Sequence, residues 1–463
     1  MTRLASARSA PLLVMAAFGC SPAAVDYSAL QSAAVARQRG VGVDVAGEDE
    51  EVRALLAKPL TPATAARIAL LNNPGVRAQV EAVGIAEADF FAAGSLPNPV
   101  VGGALRFDGH GGPEIEIEAL VNLSQLVLLP ARRGVAAAGV AAARAEAIGA
   151  VLDLSFEARR ALFQYQAARQ SLDLSRTVLA ALSAEAHAAD VLRESGAITE
   201  LEQVQRQALF EEARLGFQAA ELRVAAARER VNALLGLFGA ETRWEATPEL
   251  PRPPTKELPL DTLERRAIER SLDLAVSRER FRHAAEQANV ARVEGFLPEL
   301  RAGVSAERGE EWSIGPAVEL ELPLLYQGQG EVASAHARMR AERHVHTDIA
   351  VRVRAAAREV ALRLEASRAA VAYFERVLLP LRRRALEQSQ LQYNAMQIGV
   401  FDLLQARRDQ VETERAFVDA LLDYWIARTD AEQLLSGRLT ASPAAVGAAS
   451  APVPVNGSRS RTH

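Results

Sequence analysis

The sequence is poor in the residues that staple, ligate or catalyse. It has one cysteine in 463 residues, so no internal disulfide forms, and no CxxC pair or Cys/His cluster offers a zinc site. No GxSxG, P-loop or HExxH motif occurs, and no GxGxxG stands between a strand and a helix. His344 and His346 are two residues apart. On a helix such neighbours point to different faces, so they are read as solvated surface residues and not as a metal pair. The chain is therefore expected not to be an enzyme, and no cofactor or metal is expected. A basic excess is missing too: the net charge is -5 with 24% charged residues, which gives no footprint for nucleic acid.

Beyond residue 20 no apolar run of about 18 residues is found, and no transmembrane helix is expected in the mature chain. A membrane role would need strands that close into a barrel, or a lipid anchor. An anchor has a candidate. In "MTRLASARSAPLLVMAAFGCSPAA", Arg3 and Arg8 precede a short apolar stretch over 10–19, so residues 1–19 read as a cleavable export signal. Gly19 before Cys20 resembles a bacterial lipobox, with Ala17 where leucine is usual. That likeness implies acylation of Cys20, and Ser21 after it implies sorting to the outer membrane; the alternative is an ordinary signal with an incidental cysteine.

What the chain does contain is Ala, Leu, Arg, Glu and Gln, a composition suited to long helices, with only 5% aromatics. It also contains itself twice. "ALLNNPGV" (69–76) precedes "GSLPNPVVGG" (94–103), as "AIERSLDL" (267–274) precedes "GFLPELRAGV" (295–304). Further on, 126–146 aligns with 322–342, and "ITELEQVQ" (198–205) with "IGVFDLLQ" (398–405). Four landmarks in one order define two structural repeats, 60–246 and 260–437. The Pro-rich segment 247–259 connects them, 20–59 reads as an N-terminal tether, and 438–463 as a disordered tail. Helices are expected over 61–93, 131–195 and 199–237, and again over 260–294, 329–396 and 401–437. Leu201, Ala208, Leu215 and Leu222 recur every seven residues, as do Leu404, Val411, Val418 and Trp425; both stripes are read as coiled-coil core.

Between the helices the period changes to two. In 113–125, Ile115, Ile117, Ala119, Val121 and Leu123 alternate with polar positions led by Glu114, Glu116 and Glu118; in 317–325, Val318, Leu320, Leu322 and Leu324 alternate with Glu319, Glu321 and Pro323. Their hairpin partners are 99–109 and 299–309. Alternation alone fits a half-buried soluble sheet or a membrane barrel with lipid outside and water inside. Two hairpins make four strands, too few to close around a lumen, so the membrane reading demands copies that share one barrel.

With these features together, the chain resembles the TolC-type outer-membrane efflux channels over residues 60–437. The resemblance rests on the signal, the possible lipobox, the duplicated helix–hairpin–long-helix halves, "LPNP" and "IGVFDLLQARRD". It implies a mainly α protein with a membrane β-barrel part: a homotrimer whose twelve strands form one barrel, continuous with a periplasmic α-helical barrel. It also implies partners, namely a periplasmic adaptor protein, an inner-membrane efflux pump and outer-membrane lipid. Pro97 and Pro298 would mark where helix becomes strand, and Pro130 and Pro323 the return. Asp402 matches the first acidic position of the family's Asp-x-x-Asp gate and Gln405 stands at the second, which implies a less charged ring. Thr199 and Glu202 would start a helix at the first tip or touch the adaptor, and Gly196 and Gly399 would allow the tight tip turns. The rival reading is a lipid-anchored periplasmic coiled-coil scaffold or adaptor without a pore. It accounts for Cys20 and the long helices, and less well for two equivalent amphipathic hairpins.

Overall fold

The computed structural model describes residues 48–107, 114–308, 311–321 and 325–440. Cys20, the expected signal, most of the tether, Pro323 and the chain beyond residue 440 lie outside the described residues. Ten α-helices and four strands are described: α1 (Glu48–Leu56), α2 (Pro62–Asn72), α3 (Pro74–Ala93), β1 (Val100–Arg106), β2 (Glu114–Asn122), α4 (Leu123–Glu194), α5 (Glu200–Leu235), α6 (Leu263–Arg270), α7 (Leu272–Phe296), β3 (Glu299–Arg308), β4 (Trp312–Glu321), α8 (Gln329–Tyr373), α9 (Leu379–Asn394) and α10 (Val400–Leu435). From α2 to α5 and from α6 to α10 the same order of helices and hairpin runs twice. α4 alone has 72 residues, about 108 Å at the helical rise.

The four strands form one antiparallel sheet in the order β1-β2-β3-β4, with β1 and β4 at its edges. β2 and β3 join the two repeats, and they approach closely at a glycine: a Cβ on Gly303 would lie 1.7 Å from the Ala119 carbonyl oxygen. Beneath the sheet, α3, α4, α7 and α8 pack side by side in the order of the strands above them. Farther from the sheet, α5 lies on α4, α4 on α10, and α10 on α8 and α9. The outer helices are thus α3 and α5 on the β1 side, and α8 and α9 on the β4 side.

Several expected helices are broken, each for a local reason. The stretch 61–93 divides at Asn73, because Pro74 cannot continue the hydrogen-bond ladder and the Asn73 side chain accepts from the amides of Gly75 (2.8 Å) and Val76 (3.2 Å). The stretch 260–294 divides at Ser271, whose hydroxyl accepts from Leu274 at 3.1 Å. These breaks receive the ends of the hairpins. Asn72 and Asn73 donate to the last carbonyls of α5, and the Leu272 amide donates to Gly437 just past α10 at 2.7 Å. The stretch 329–396 carries a π turn at Phe374–Leu378 just before Pro380, which lacks the N–H that a regular turn needs.

Three further expectations are corrected. α4 begins at Leu123, so Pro130 lies inside the helix and not at the return from the strand; the Asn122 side chain starts it by accepting from Gln125 at 3.1 Å. α4 also holds one window that by length and composition is apolar enough to cross a membrane. Its Ala-rich stretch at 135–147 carries Arg144 and Glu146, which pair with Glu87 of α3 and Arg280 of α7 at 2.6 Å each, so it packs on neighbouring helices. The third concerns the heptads. Val411 and Val418 of α10 are buried, but Leu201, Leu215 and Leu222 of α5 are exposed, so the first stripe is not core within the chain.

The core lies where the repeats meet. One part gathers Leu60, Ile68, Leu152, Leu162, Tyr165, Leu235 and Trp244; a second gathers Phe163, Leu364, Leu421, Tyr424 and Leu434. The connector after residue 246 is strapped to this second part. Glu257 accepts from Tyr424 (2.6 Å), Arg368 (3.1 Å) and Arg428, and the Trp425 indole donates to Pro251 at 2.6 Å. Burial, with Glu257 beside it, pushes the Tyr424 hydroxyl up to about 12. An unfolded tyrosine ionises near pH 10, so the stability held by this contact is complete below about pH 10 and is lost as pH rises toward about 12. The alkaline tyrosinate titration of the protein should show a late step near pH 12 that disappears in Tyr424→Phe. A single step near 10 for all tyrosines would contradict this placement.

Candidate functional site

The register of the sheet sorts its side chains into two chemistries. Arg106, Glu114, Glu116, Glu118, Asn122, Glu299, Arg301, Ser305, Glu307, Glu319 and Glu321 share one face. It carries seven glutamates and two arginines, with ion pairs Arg106–Glu116 (3.2 Å), Arg301–Glu299 (2.8 Å) and Arg301–Glu319 (3.4 Å). The other face holds Val101, Leu105, Ile115, Ile117, Val121, Leu300, Val304, Ile314, Val318 and Leu320. Its one charge is Arg308, at the end of β3 against the Trp312 ring. Leu105, Ile314 and Val318 are among the exposed apolar residues, and no described part of the chain covers them. Pro298 stands directly before β3 and Pro97 three residues before β1, and the Pro298 carbonyl accepts from Ser124 at 2.7 Å, tying that junction to the start of α4.

At the opposite end are two tight tips, related by an offset of 200 residues. At the first, α4 ends and Gly196 turns left-handed (φ 74°), so that the Ala197 amide reaches Leu192 at 2.8 Å. Thr199 then caps α5: its amide donates to Glu202 at 2.8 Å, while its hydroxyl accepts from the Glu202 amide at 3.2 Å. The Thr199 amide holds the Glu202 carboxyl below the usual carboxylate range. At the second tip the left-handed residue is Met396 (φ 58°), not Gly399 as expected; Gly399 has an extended backbone that any residue adopts. Gly399 occupies the Thr199 position instead, and its amide donates to Asp402 at 3.1 Å. Asp402 and Gln405 are both exposed on α10, and Gln405 bridges Asp409 (2.7 Å) and Arg408. His346, expected on the surface, is half-buried and bonds Ser277 at 2.7 Å, while His344 is exposed; among the described residues no acidic, His or Cys group could hold a metal ion.

One residue escaped the sequence reading. Glu185 of α4 is 1% exposed, yet it is a carboxylate, held by Arg206 of α5 at 2.6 Å and facing Arg408 of α10 at 3.8 Å. Arg206 also lies over the Phe401 ring, 4.5 Å from its centre. This node binds the first hairpin to the second just above the tips, and through Arg408 it reaches Gln405. Only its local polarity within an apolar helix face hinted at it.

No model of a known protein family and no curated protein matches the sequence. Solved structures do match the fold. The Campylobacter jejuni CmeC outer membrane channel aligns with TM-score 0.65 at 15% identity, covering 86% of this chain and 89% of that one. The outer membrane protein VceC of Vibrio cholerae aligns with TM-score 0.64 at 16% identity, covering 84% and 97%. The open state of the Neisseria gonorrhoeae MtrE outer membrane channel aligns with TM-score 0.63 at 19% identity, covering 81% and 89%. A two-faced sheet on a long helical body is the architecture these channels share with this chain. The chain has the fold of the TolC-type outer-membrane channels.

The two tips differ in strain. A left-handed methionine costs about 1 kcal/mol more than a left-handed glycine. Met396 is 94% exposed, and a Cβ at Gly196 would meet nothing within 4 Å, so backbone preference alone decides both positions. Amide exchange at Gln397, which donates to Gln392 at 2.9 Å, should slow about fivefold in Met396→Gly, while exchange at Ala197 quickens by a similar factor in Gly196→Ala. Equal rates in both variants and the native protein would contradict the assigned turns.

Proposed function

We propose that the chain is the outer-membrane duct of a tripartite efflux system, a passive exit for solutes delivered by an inner-membrane pump through a periplasmic adaptor protein. The observation that carries this reading is the sheet: four strands with an apolar face, a carboxylate-rich face and two unpaired edges, on a helical body about 100 Å long. In lipid an unpaired edge is prohibitively costly, because no water satisfies its N–H and C=O groups. A trimer removes both edges of every copy and closes twelve strands around a lumen lined by the glutamate face. The pore-free scaffold leaves the exposed apolar face without a purpose.

Opening is assigned to the periplasmic tips, with Asp402 and Gln405 as the gate ring. Asp402 also caps α10 there, so it serves the helix and the ring together. Cys20 is proposed as the acylated anchor at the start of the mature chain. The Glu185–Arg206–Arg408 node keeps the second tip against the first and thereby holds the gate closed. Removing one partner of so buried a charge group costs about 3 kcal/mol, enough to shift a closed–open balance by two orders of magnitude.

The protein extracted from outer membranes in mild detergent should have the native mass of three chains. A monomer would contradict the shared barrel. In planar bilayers, Glu185→Ala should raise the mean conductance several-fold over the native trimer; unchanged conductance from an intact trimer would remove the node from the gate.

A further inference from the structure

Between the two hairpins lies a cleft with more positive charge than the chain pairs. It is bounded by α4 and α5 of the first hairpin and by α10 of the second, and it holds about 260 Å³. Its floor is apolar: Val411 is buried, and Leu174, Val178, Ala213 and Phe217 are half-buried beside it. Three arginines and one glutamate stand over this floor. Arg408 faces the buried Glu185 at 3.8 Å. Arg223 donates to the Ala219 carbonyl of its own helix at 3.3 Å, and neither Arg223 nor Arg415 has a carboxylate partner among the described residues. Glu412 is exposed and forms no ion pair with Arg415, three residues on. Both α5 and α10 run away from the tips, so Arg223 and Arg415 stand together at the far end of the cleft. A glycine keeps the cleft open. Gly216 sits in the middle of α5, where glycine weakens a helix relative to alanine, and a Cβ there would meet nothing within 4 Å. No packing contact requires it.

We propose that this cleft binds a small amphipathic carboxylate, whose apolar body lies on the floor of Val178, Phe217 and Val411 and whose carboxylate is held by Arg223 and Arg415. The volume sets the size: it falls just below the range of about 300–1,000 Å³ usual for drug-sized ligands, so a single ring or a short chain fits. The charge sets the sign. Guanidinium groups bind a carboxylate through paired N–H donors, and three arginines against one glutamate disfavour an amphipathic cation. The walls come from both hairpins, so the bound molecule holds α10 against α4 and α5. A ligand shifts a conformational balance toward the state that it binds more tightly, and this cleft is complete only while the hairpins stay together. Arg408 joins the cleft to the Glu185 node, so an occupied cleft favours the closed channel. That last consequence rests on the duct and gate reading above; the site itself does not.

The test is calorimetric titration of the full chain in lipid nanodiscs with phenylpropionate, and with phenylpropylamine as the cation of the same shape. The cleft predicts one phenylpropionate per chain and no binding of the amine. Arg223→Gln with Arg415→Gln should weaken phenylpropionate about tenfold, through loss of the charge-assisted hydrogen bonds. Gly216→Leu, which fills the cleft and suits a helix better than glycine, should abolish binding in a folded protein. Equal binding of acid and amine, or acid binding that survives Gly216→Leu, would overturn the site. In planar bilayers, phenylpropionate should lower the mean conductance of the native protein and leave that of the double glutamine variant unchanged. Binding without any change in a conducting channel would overturn the link to closure and leave the site standing. A protein that binds phenylpropionate as predicted but forms no conducting channel would overturn the duct reading alone.

Discussion

The backbone hydrogen bonds at the two edges of a four-stranded sheet are the constraint from which the rest follows. The sheet turns an apolar face outward, and lipid offers no donor or acceptor to β1 or β4. A single chain therefore cannot finish its own structure in a membrane. In the proposed barrel the edge strands meet other copies, and the helices below keep the same order and spacing so that ring and barrel close together. The side-by-side row of α3, α4, α7 and α8 under β1, β2, β3 and β4 is that requirement expressed in packing.

Duplication solves the problem economically, and the structure shows where the two copies of the unit remain alike. Each repeat breaks its first helix at the point where its last helix returns: Asn73 beside the end of α5, Ser271 beside the end of α10. Each tip caps its second helix with an acidic residue three positions on, Glu202 and Asp402. They differ where the roles differ. The α10 heptad is buried between the repeats, whereas the α5 heptad faces outward, and only the first tip has a glycine at its left-handed position.

Much of this was legible in the sequence because it depends on local pattern. The two Leu-Pro junctions, the alternation of Glu114, Glu116 and Glu118 with isoleucines, and the repeat landmarks located hairpins, long helices and tips. What was not legible depends on which surfaces meet. A heptad reads the same whether its partner is the same chain or another, so Leu201, Leu215 and Leu222 were expected inside. The tip glycine was assigned to Gly399 because glycine favours left-handed turns, but chain geometry put Met396 there. Pro130 suggested a helix start, yet Asn122 had already begun the helix, and Pro130 lies inside it as its eighth residue. Glu185 offered only its polarity within an apolar helix face, since its burial also requires α10, distant in the chain. Even the NNPG signal at 72–75, plain in retrospect, was absorbed into a single long helix.

The central claim is that alternate residues of the strands face lipid and water in a closed barrel. The direct measurement is thiol accessibility along β2 and β3 in outer-membrane vesicles, with single cysteines at successive positions from Glu114 to Val121 and from Leu300 to Glu307. The account predicts that a membrane-impermeant reagent labels the 116, 118, 305 and 307 positions and spares 115, 117, 304 and 306, which a lipid-soluble reagent reaches. Uniform labelling of both sets by the impermeant reagent would place the sheet in water and contradict the barrel.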